Sequence, residues 1–321
     1  MSGTRGCDTP GTLVHHALIY DTDEQFLSSA LPFCLEGVER EEAVLAVTTP
    51  ANTALLHEAL GVAAGRVEFA RPDDWYRTPG LTLAAYHHYM EERSAAHPRI
   101  RILGEPVWDG RDEVENDEWT RYEAAANKAF ADHRAWIVCP YDTRALSVSV
   151  VADARRTHPA LMHDGSALAS PNYIPPDTSP GTWEGTPEPP PPGVRTARME
   201  FGSDLSAARG FAAAHAIEFG LSPEGVDRLV FAVNEVASNA LAHGDGERFL
   251  TLWLDGGRVV CDVTDTGGTS PAWYSGYLPP TAERPGGHGM WVVRQLCDLV
   301  EIHSLGPGTL VRLRLDLGQP L

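Results

Sequence analysis

A proline-rich stretch divides the chain and limits what it can fold into. Residues 171–192, PNYIPPDTSPGTWEGTPEPPPP, hold nine of the 25 prolines and end in a run of four. Proline lacks a backbone N–H and clashes with the preceding turn of a helix, so this stretch is neither helix nor central strand. It is typical of a semi-rigid spacer. We therefore predict a first domain at 1–165, a linker at 166–197 and a second domain at 198–321.

The charged residues exclude several classes of protein. The 321 residues include 25 basic and 44 acidic side chains, which gives a net charge of −19 with histidine neutral. Binding to a nucleic-acid backbone requires clustered basic residues, so we predict no direct nucleic-acid partner. Lys128 is the only lysine. The chain therefore has neither a G-x-x-x-x-G-K-[ST] phosphate loop nor the strand lysine of protein kinases.

The cysteines and the hydropathy pattern predict where the protein works. Five scattered cysteines lie mostly in apolar runs such as WIVC and RQLC, which is typical of reduced core residues in a cytoplasmic protein. No stretch approaches 18 uninterrupted apolar residues, and the first eleven residues contain no apolar segment. We predict that the protein is cytoplasmic, neither exported nor associated with a membrane.

In the first domain, strand-like runs alternate with amphipathic helical stretches. The runs LVHHALIY, AVLAVTT, RIRIL and AWIVCPYD are separated by segments such as EQFLSSALPFCLEGVE. This alternation predicts a doubly wound α/β fold, with a parallel sheet covered by helices on both faces. Such folds bind ligands beyond the carboxyl ends of the strands.

The second domain has a different order of elements. A short strand at 198–201 precedes two helices, two strands joined at 255–257, a loop rich in glycine and proline, one helix, and two strands joined at 306–308. Because several strands pair locally through glycine turns, we predict an α/β sandwich with a mixed sheet.

One predicted helix carries polar residues at a regular spacing. In VDRLVFAVNEVASNALAHG, Glu235, Asn239 and His243 are four residues apart and share a face. A carboxylate beside an amide suits activation of a hydroxyl and binding of Mg²⁺. Taken alone, the same pattern also fits a solvent-exposed polar face.

Three further motifs follow this helix. The strand CDVTDTGG ends at Asp265 and continues into Gly267-Gly268, and GPGTL places Thr309 at the start of the last strand. The segment GGHGM opens a helix with closely spaced glycines, where backbone N–H groups can approach an anion. These glycines are Gly286, Gly287 and Gly289.

In this order, the motifs from Arg198 to the C-terminus resemble the GHKL ATPase superfamily, and most closely its RsbW-like anti-sigma serine kinases. NEVASNALAHG is similar to the N box, DTGG and GGHGM to the two glycine boxes, and GT at 308–309 to the last motif. The resemblance implies that Glu235 activates the attacking hydroxyl, Asn239 holds Mg²⁺ and Asp265 accepts a hydrogen bond from the adenine amino group of ATP.

The same resemblance implies the other nucleotide contacts, and the chain departs from the family in two places. The implied contacts are Gly267 and Thr309 at the base, Gly287 and Gly289 at the phosphates, and His243, Arg284 and His288 around them. Thr269 stands where the family commonly has a third glycine, and the short lid at 270–285 supplies a single cation, Arg284. These departures bear on phosphoryl transfer more than on nucleotide binding.

Residues 12–165 resemble the MEDS sensory domain, on the strings VHHALIY, GEPVW, RYEAAANKAF, CPYDT and ARRTHP. The two domains together are similar to the RsbA-family anti-sigma regulators of actinobacteria. The first domain also resembles a RecA/KaiC-like unit in its order of strand, loop, helix and strand. However, the loop after its first strand, Asp21-Thr22-Asp23-Glu24, is acidic and would repel phosphate. We therefore predict a nucleotide-binding framework that now senses something else.

Six side chains at or beside predicted strand ends are candidates for contact with a small sensory ligand. They are His16, Glu105, Trp108, Cys139, Tyr141 and Asp142. With His158 added, the same group of side chains also fits a metal site. A third interpretation is purely structural, with a core histidine at 15 or 16, a packed Trp108 and a turn capped by Asp142.

The sequence thus predicts a signal-sensing anti-sigma regulator that binds Mg·ATP. By resemblance, its partners are a sigma factor and a STAS-type antagonist whose serine it phosphorylates, and it forms a homodimer. One alternative is a nucleotide-gated binding switch without catalysis. Another is a two-component sensor histidine kinase, but the only His-Glu pair, His57-Glu58, lies in a short predicted helix.

Overall fold

The computed structural model describes residues 12–178, 187–243, 246–268, 271–280 and 287–318. Within them the chain forms two compact units. The first comprises the described residues up to Arg77 together with Thr82–Pro176, and the second comprises Thr78–Leu81 together with the described residues from Asp177 onward. The domain limits at 165 and 198 stay a prediction.

A seven-stranded sheet forms the centre of the first unit. Its strands are β1 Val14–Tyr20, β2 Ala43–Val47, β3 Glu68–Ala70, β4 Ile100–Gly104, β5 Ala135–Asp142, β6 Ala160–His163 and β7 Ser166–Ala169. Their order in the sheet is β3-β2-β4-β5-β1-β6-β7, and every neighbouring pair is parallel except β6 with β7. All residues of β2 and β4 are buried, which explains their continuous apolar character.

Helices connect these strands across both faces of the sheet. They are α1 Asp23–Glu39, α2 Pro50–Leu60, α3 Pro72–Trp75, α4 Pro79–Ser94, α5 Glu113–Ala129 and α6 Val148–Thr157. Helix α1 contacts α2, and α5 contacts α6. Because strand-helix-strand crossovers are right-handed, the strand order places α1 and α2 on one face and α4, α5 and α6 on the other. The predicted doubly wound fold is confirmed.

The connections after β1 and β5 leave toward opposite faces of the sheet, although the two strands are neighbours. A crevice therefore opens between them at their carboxyl ends. Thr22 begins α1 directly after β1, and its hydroxyl accepts a hydrogen bond from the backbone N–H of Gln25 at 3.2 Å. The acidic residues of the predicted loop, Asp23 and Glu24, occupy the first turn of this helix.

The second unit contains a five-stranded sheet of order β11-β12-β10-β9-β8. Its strands are β8 Thr196–Glu200, β9 Arg248–Asp255, β10 Arg258–Asp265, β11 Leu299–Ser304 and β12 Thr309–Asp316, and its helices are α7 Leu205–Glu218, α8 Pro223–His243 and α9 His288–Leu296. Helix α8 contacts α7, α9, β10 and β12. Its buried face includes Leu229, Val233 and Val236, which pack with the inner face of the sheet. The predicted α/β sandwich is confirmed.

The prediction that this sheet is mixed is wrong, because each pair of neighbouring strands is antiparallel. The strand that follows α9, β11, does run in the same direction as β10, as it would after a parallel crossover. However, β12 lies between β10 and β11 and pairs with both, so the two like-directed strands never meet.

Two further features concern the cysteines and the helices of the described ranges. Cys34, Cys139, Cys261 and Cys297 are buried and free of disulfides. Cys7 lies outside the described residues. Among the helices of these ranges, none combines the length and the apolar character needed to cross a membrane.

A tight approach at Gly308 gives a stability prediction. A Cβ at this position would lie 2.4 Å from the backbone oxygen of Asp265, and φ is +107°. Because the obstacle is backbone, we expect Gly308→Ala to destabilise the second unit by about 3 kcal/mol or more. Gly306→Ala is the matched control, since its φ is +89° but a Cβ there meets nothing within 4 Å. Scanning calorimetry checks both, and equal effects of the two changes would contradict the expectation.

Candidate functional site

A cavity of about 460 Å³ lies in the second unit, between α8, the start of α9 and the sheet. It brings together six residues predicted to contact the nucleotide: Asn239, His243, Asp265, Gly267, Gly287 and Thr309. Its apolar walls include Val263, Ile302 and Val311 from three neighbouring strands. The cavity therefore combines apolar side chains of the sheet with polar groups, a combination that suits a purine base.

Helix α8 directs its polar positions toward this cavity and toward α9. Asn239 and His243 are exposed and line the cavity. Glu235, one turn earlier, is half-buried and does not line it. Its carboxylate lies instead beside the second residue of α9, because a Cβ added at Gly289 would be 2.6 Å from Glu235 Oε2. A side chain at residue 289 would therefore require the Glu235 carboxylate to move.

Asp265 ends β10 at the edge of the cavity. It pairs with Thr309 across the sheet, and its Oδ1 accepts a hydrogen bond from the backbone N–H of Gly267 at 3.3 Å. The side chain is largely buried, and this burial raises the pKa of Asp265 above its ordinary value. A carboxylate oxygen at the end of an apolar slot is an acceptor that suits an amino group such as that of adenine.

The start of α9 supplies the anion-binding features expected from the sequence. Gly287 precedes the helix with φ +89°, a left-handed conformation that glycine adopts without strain. The first N–H groups of α9 have no partners within the helix, and its N-terminal end carries partial positive charge. His288 is exposed and is not among the cavity-lining residues. Arg284 and Gly286 lie outside the described residues.

The raised pKa of Asp265 gives a pH prediction for nucleotide binding. At a given pH more of this carboxyl is protonated than of an ordinary aspartate, and a protonated oxygen no longer accepts from an amino group. We therefore expect the affinity for ATP to fall as the pH is lowered toward the raised pKa of Asp265. Calorimetric titrations at several pH values measure the affinity of the unaltered protein and of Asp265→Asn. The protonation of ATP affects both proteins equally, so a difference between their pH profiles reports the Asp265 carboxyl. Identical pH profiles for the two proteins would contradict the expectation.

Tyr274 and Met290 are among the side chains of this cavity that were not predicted from the sequence. The Tyr274 hydroxyl donates to Asp177 Oδ1 at 3.1 Å, and Met290 follows Gly289 on α9. The stretch PAWYSGY around Tyr274 falls in the predicted lid. Its aromatic residues were the feature of the sequence that could have indicated a contact with the cavity.

A second cavity, of about 480 Å³, lies in the first unit beyond the carboxyl ends of β1, β4 and β5. Of the six sensory candidates it brings together Glu105, Trp108 and Asp142. This location agrees with the crevice that the crossover directions open between β1 and β5.

Glu105 is the centre of a hydrogen-bond network on the wall of this cavity. Its carboxylate accepts from the hydroxyl of Tyr20 at 3.2 Å, from Asn52 Nδ2 at 2.9 and 3.0 Å, and from the backbone N–H of Thr49 at 2.8 Å. Burial raises the pKa of Glu105 and also that of Tyr20. The network joins the ends of β1 and β4 to the start of α2.

Asp142 contributes an ion pair to the same cavity. Arg144 donates to both of its carboxylate oxygens, through Nε at 2.9 and 3.1 Å and Nη2 at 2.8 Å, and its Nη1 lies 2.9 Å from Asp23 Oδ1. These hydrogen bonds from Arg144 lower the pKa of Asp142. Arg144, Tyr20 and Asn52 were not predicted from the sequence, because only the folded chain brings them to Glu105 and Asp142.

The other three sensory candidates do not line this cavity. The ring of His16 packs edge-on against Trp136, with ring centroids 5.8 Å apart. Cys139 and Tyr141, on one face of β5, are buried beneath α5 and α6, where the Cys139 sulfur lies 3.4 Å from Nε2 of His15. His16 was predicted to be the sensory histidine, but side chains alternate along a strand, and it is His15 that faces Cys139.

The fold and the two cavities define a class of protein in which a doubly wound α/β unit precedes an α/β sandwich. Comparisons with known families agree. Residues 14–159 match the family model of the MEthanogen/methylotroph, DcmR Sensory domain (MEDS), and residues 202–315 match that of the histidine kinase-like ATPase domain. The chain therefore joins a MEDS sensory domain to a histidine kinase-like ATPase domain, as predicted, and the second family implies ATP binding.

No curated protein matches the sequence of the chain. A crystal structure of the RsbU and RsbW domains of Rv1364c from Mycobacterium tuberculosis is similar, with 19% identity and a TM-score of 0.31. The match covers 39% of this chain and 33% of that one. This chain thus spans about a third of that protein, and the low TM-score supports neither an activity nor a partner here.

Proposed function

We propose that the chain is a signal-sensing anti-sigma regulator. Its ATPase domain binds Mg·ATP, captures a sigma factor and phosphorylates a serine of an anti-sigma antagonist. Its MEDS domain binds a small molecule in the cavity beside Glu105 and thereby controls the ATPase domain. The observation that carries the kinase proposal is the position of Glu235, whose carboxylate lies against Gly289 at the start of α9.

The residues of the ATPase cavity fit a bound nucleotide. Asp265 offers an acceptor to the adenine amino group, and Gly287 and Gly289 leave the start of α9 open to phosphates. Asn239 is exposed at the cavity and offers an amide oxygen, a ligand that suits Mg²⁺. Bound Mg²⁺ would neutralise charge on the β- and γ-phosphate oxygens.

In this proposal Glu235 is the general base at the phosphate end of the site, which its contact with the start of α9 supports. In the proposed reaction its carboxylate accepts the proton of the serine hydroxyl. The serine oxygen forms a bond to the γ-phosphorus while the bond from that phosphorus to the β–γ bridging oxygen breaks, and ADP leaves. The backbone N–H groups at the start of α9 stabilise the charge that develops on the γ-phosphoryl oxygens.

The charge of the chain supports a basic protein partner. A net charge of −19 favours encounter with a protein that presents a basic surface, as the DNA-binding face of a sigma factor does. The same charge disfavours direct binding to nucleic acid.

Two measurements on the purified full chain test this function. The first is calorimetric titration with ATP in the presence of Mg²⁺, and the second is ³²P transfer from ATP to a panel of purified candidate antagonist proteins. We expect saturable binding and transfer to a serine of one antagonist. Binding without any transfer would contradict the kinase and favour the nucleotide-gated switch. A failure to bind ATP would contradict both proposals.

A further inference from the structure

Four ionisable side chains meet in the interior of the first unit, away from both cavities. They are His15 on β1, Glu123 on α5, Cys139 on β5 and His158 directly after α6, and all four are buried. Oε2 of Glu123 lies 3.5 Å from Nε2 of each histidine and 3.9 Å from the Cys139 sulfur. Burying such groups together is costly unless their charges and hydrogen bonds are satisfied.

The hydrogen bonds behind the two imidazoles fix which ring nitrogen faces the centre. Nδ1 of His15 lies 3.0 Å from Oδ1 of Asn127, whose Nδ2 donates to the backbone oxygen of Thr157 at 2.8 Å. Nδ1 of His158 lies 2.9 Å from the backbone oxygen of Ala154. The hydroxyl of Thr157 also lies 2.9 Å from Nδ1 of His158. Because the oxygens of Asn127 and Ala154 can only accept, each Nδ1 carries the proton and each Nε2 turns a lone pair inward.

The centre of the cluster is therefore surrounded almost entirely by acceptors. Two imidazole lone pairs and the carboxylate of Glu123 face one another, and the thiol of Cys139 is the single donor that these four side chains turn toward the centre. Within the described ranges, Nε2 of His158 makes no hydrogen bond. A positive charge at the centre would satisfy these groups, as it does where histidines with hydrogen-bonded second nitrogens bind a metal.

The size of the cluster fits a tetrahedral ion. Zinc bonds of about 2.0–2.1 Å to nitrogen or oxygen and about 2.3 Å to sulfur place neighbouring ligand atoms roughly 3.3–3.7 Å apart. The four measured separations between ligand atoms are 3.4, 3.5, 3.5 and 3.9 Å, and all the ligand atoms lie within 4.8 Å of one another. Two nitrogens, one sulfur and one oxygen suit zinc and related transition metals rather than Mg²⁺ or Ca²⁺.

We propose that His15, Glu123, Cys139 and His158 bind one divalent transition-metal ion of the zinc class. Four coordinate bonds form, the thiol of Cys139 releases its proton to the solvent, and no electron is transferred. Because all four ligands are protein side chains and all are buried, the site is closed and stabilises the fold. It joins two strands of the sheet to the helices that cover them.

The test uses the full chain, purified under reducing conditions with any histidine tag removed. Elemental analysis by mass spectrometry is expected to find about one zinc ion per chain. Cobalt added to the metal-depleted protein is expected to give the near-ultraviolet absorption of a cobalt–thiolate bond. A second group of side chains, His87, Glu91 and His133, offers no sulfur, so cobalt bound there cannot produce this band.

Two variants distinguish loss of the metal site from a general loss of structure. Cys139→Ser is expected to lower the metal content at least about tenfold and to remove the thiolate band. Cys34→Ser, at another buried cysteine of the same unit, is expected to leave both unchanged. If Cys139→Ser fails to fold, the cobalt spectrum of the unaltered chain still decides. A folded, unaltered chain that holds no zinc and shows no thiolate band with cobalt would overturn the proposal.

Discussion

Glu235→Gln is expected to lower the rate of phosphoryl transfer to an antagonist by about 10² to 10⁴-fold and to leave ATP affinity nearly unchanged. The carboxamide keeps the size of the side chain beside Gly289, but it cannot accept a proton from the attacking hydroxyl. Because Glu235 does not line the base-binding cavity, ATP should still bind. Single-turnover ³²P transfer and calorimetry measure the two quantities separately.

The control for this change is Glu224→Gln, at an exposed position in the first turn of the same helix. It removes an equal charge from α8 and is expected to alter neither rate nor affinity. Unchanged transfer by Glu235→Gln would show that another group accepts the proton. A different result would favour the nucleotide-gated switch. In that case the unaltered chain shows no measurable transfer, and Glu235→Gln still regulates the protein partner as the unaltered chain does.

Asp265→Asn is expected to weaken ATP binding by about 10- to 100-fold, which corresponds to about 1.5–3 kcal/mol for a hydrogen bond to a charged group. The amide cannot replace the carboxylate, since one orientation turns its NH₂ toward the backbone N–H of Gly267 and the other toward the adenine amino group. Calorimetric titration measures the loss. Asp227→Asn, an equal change of charge at an exposed position of α8, is the control. Unaltered affinity of Asp265→Asn would mean that Asp265 does not contact the base.

The two domains could be predicted from local signals, but details of strand pairing could not. Alternating strands and helices indicated the doubly wound sheet, and glycine turns indicated the hairpins of the second unit. The hairpin of β6 and β7 was missed, although Asp164 and Gly165, both with positive φ, form the Asp-Gly turn that favours such a pair. The antiparallel character of the second sheet depends on where β12 inserts, which no local pattern specifies.

The two candidate sites also differ in how far they can be predicted from local sequence signals. The candidate nucleotide site is predicted from contiguous motifs that resemble a known family. In the first unit, Glu123 is one of 44 acidic residues and lies on a helix far in sequence from His15. Its contact with His15 arises from the packing of α5 on the sheet. Neither the choice of His15 over His16 nor the network around Glu105 has a signal in the sequence alone.

The place of β1 in the sheet bears on how the first domain is made in the cell. This strand is synthesised first, yet its neighbours are β5 and β6, which follow more than a hundred residues later, and the contact of His15 with Cys139 spans 124 positions. Long-range pairings of this kind form slowly, and an unpaired strand is prone to aggregate. A ribosome-bound chain therefore exposes both edges of β1 until β5 and β6 have emerged. The domain is expected to depend on chaperones during most of its synthesis.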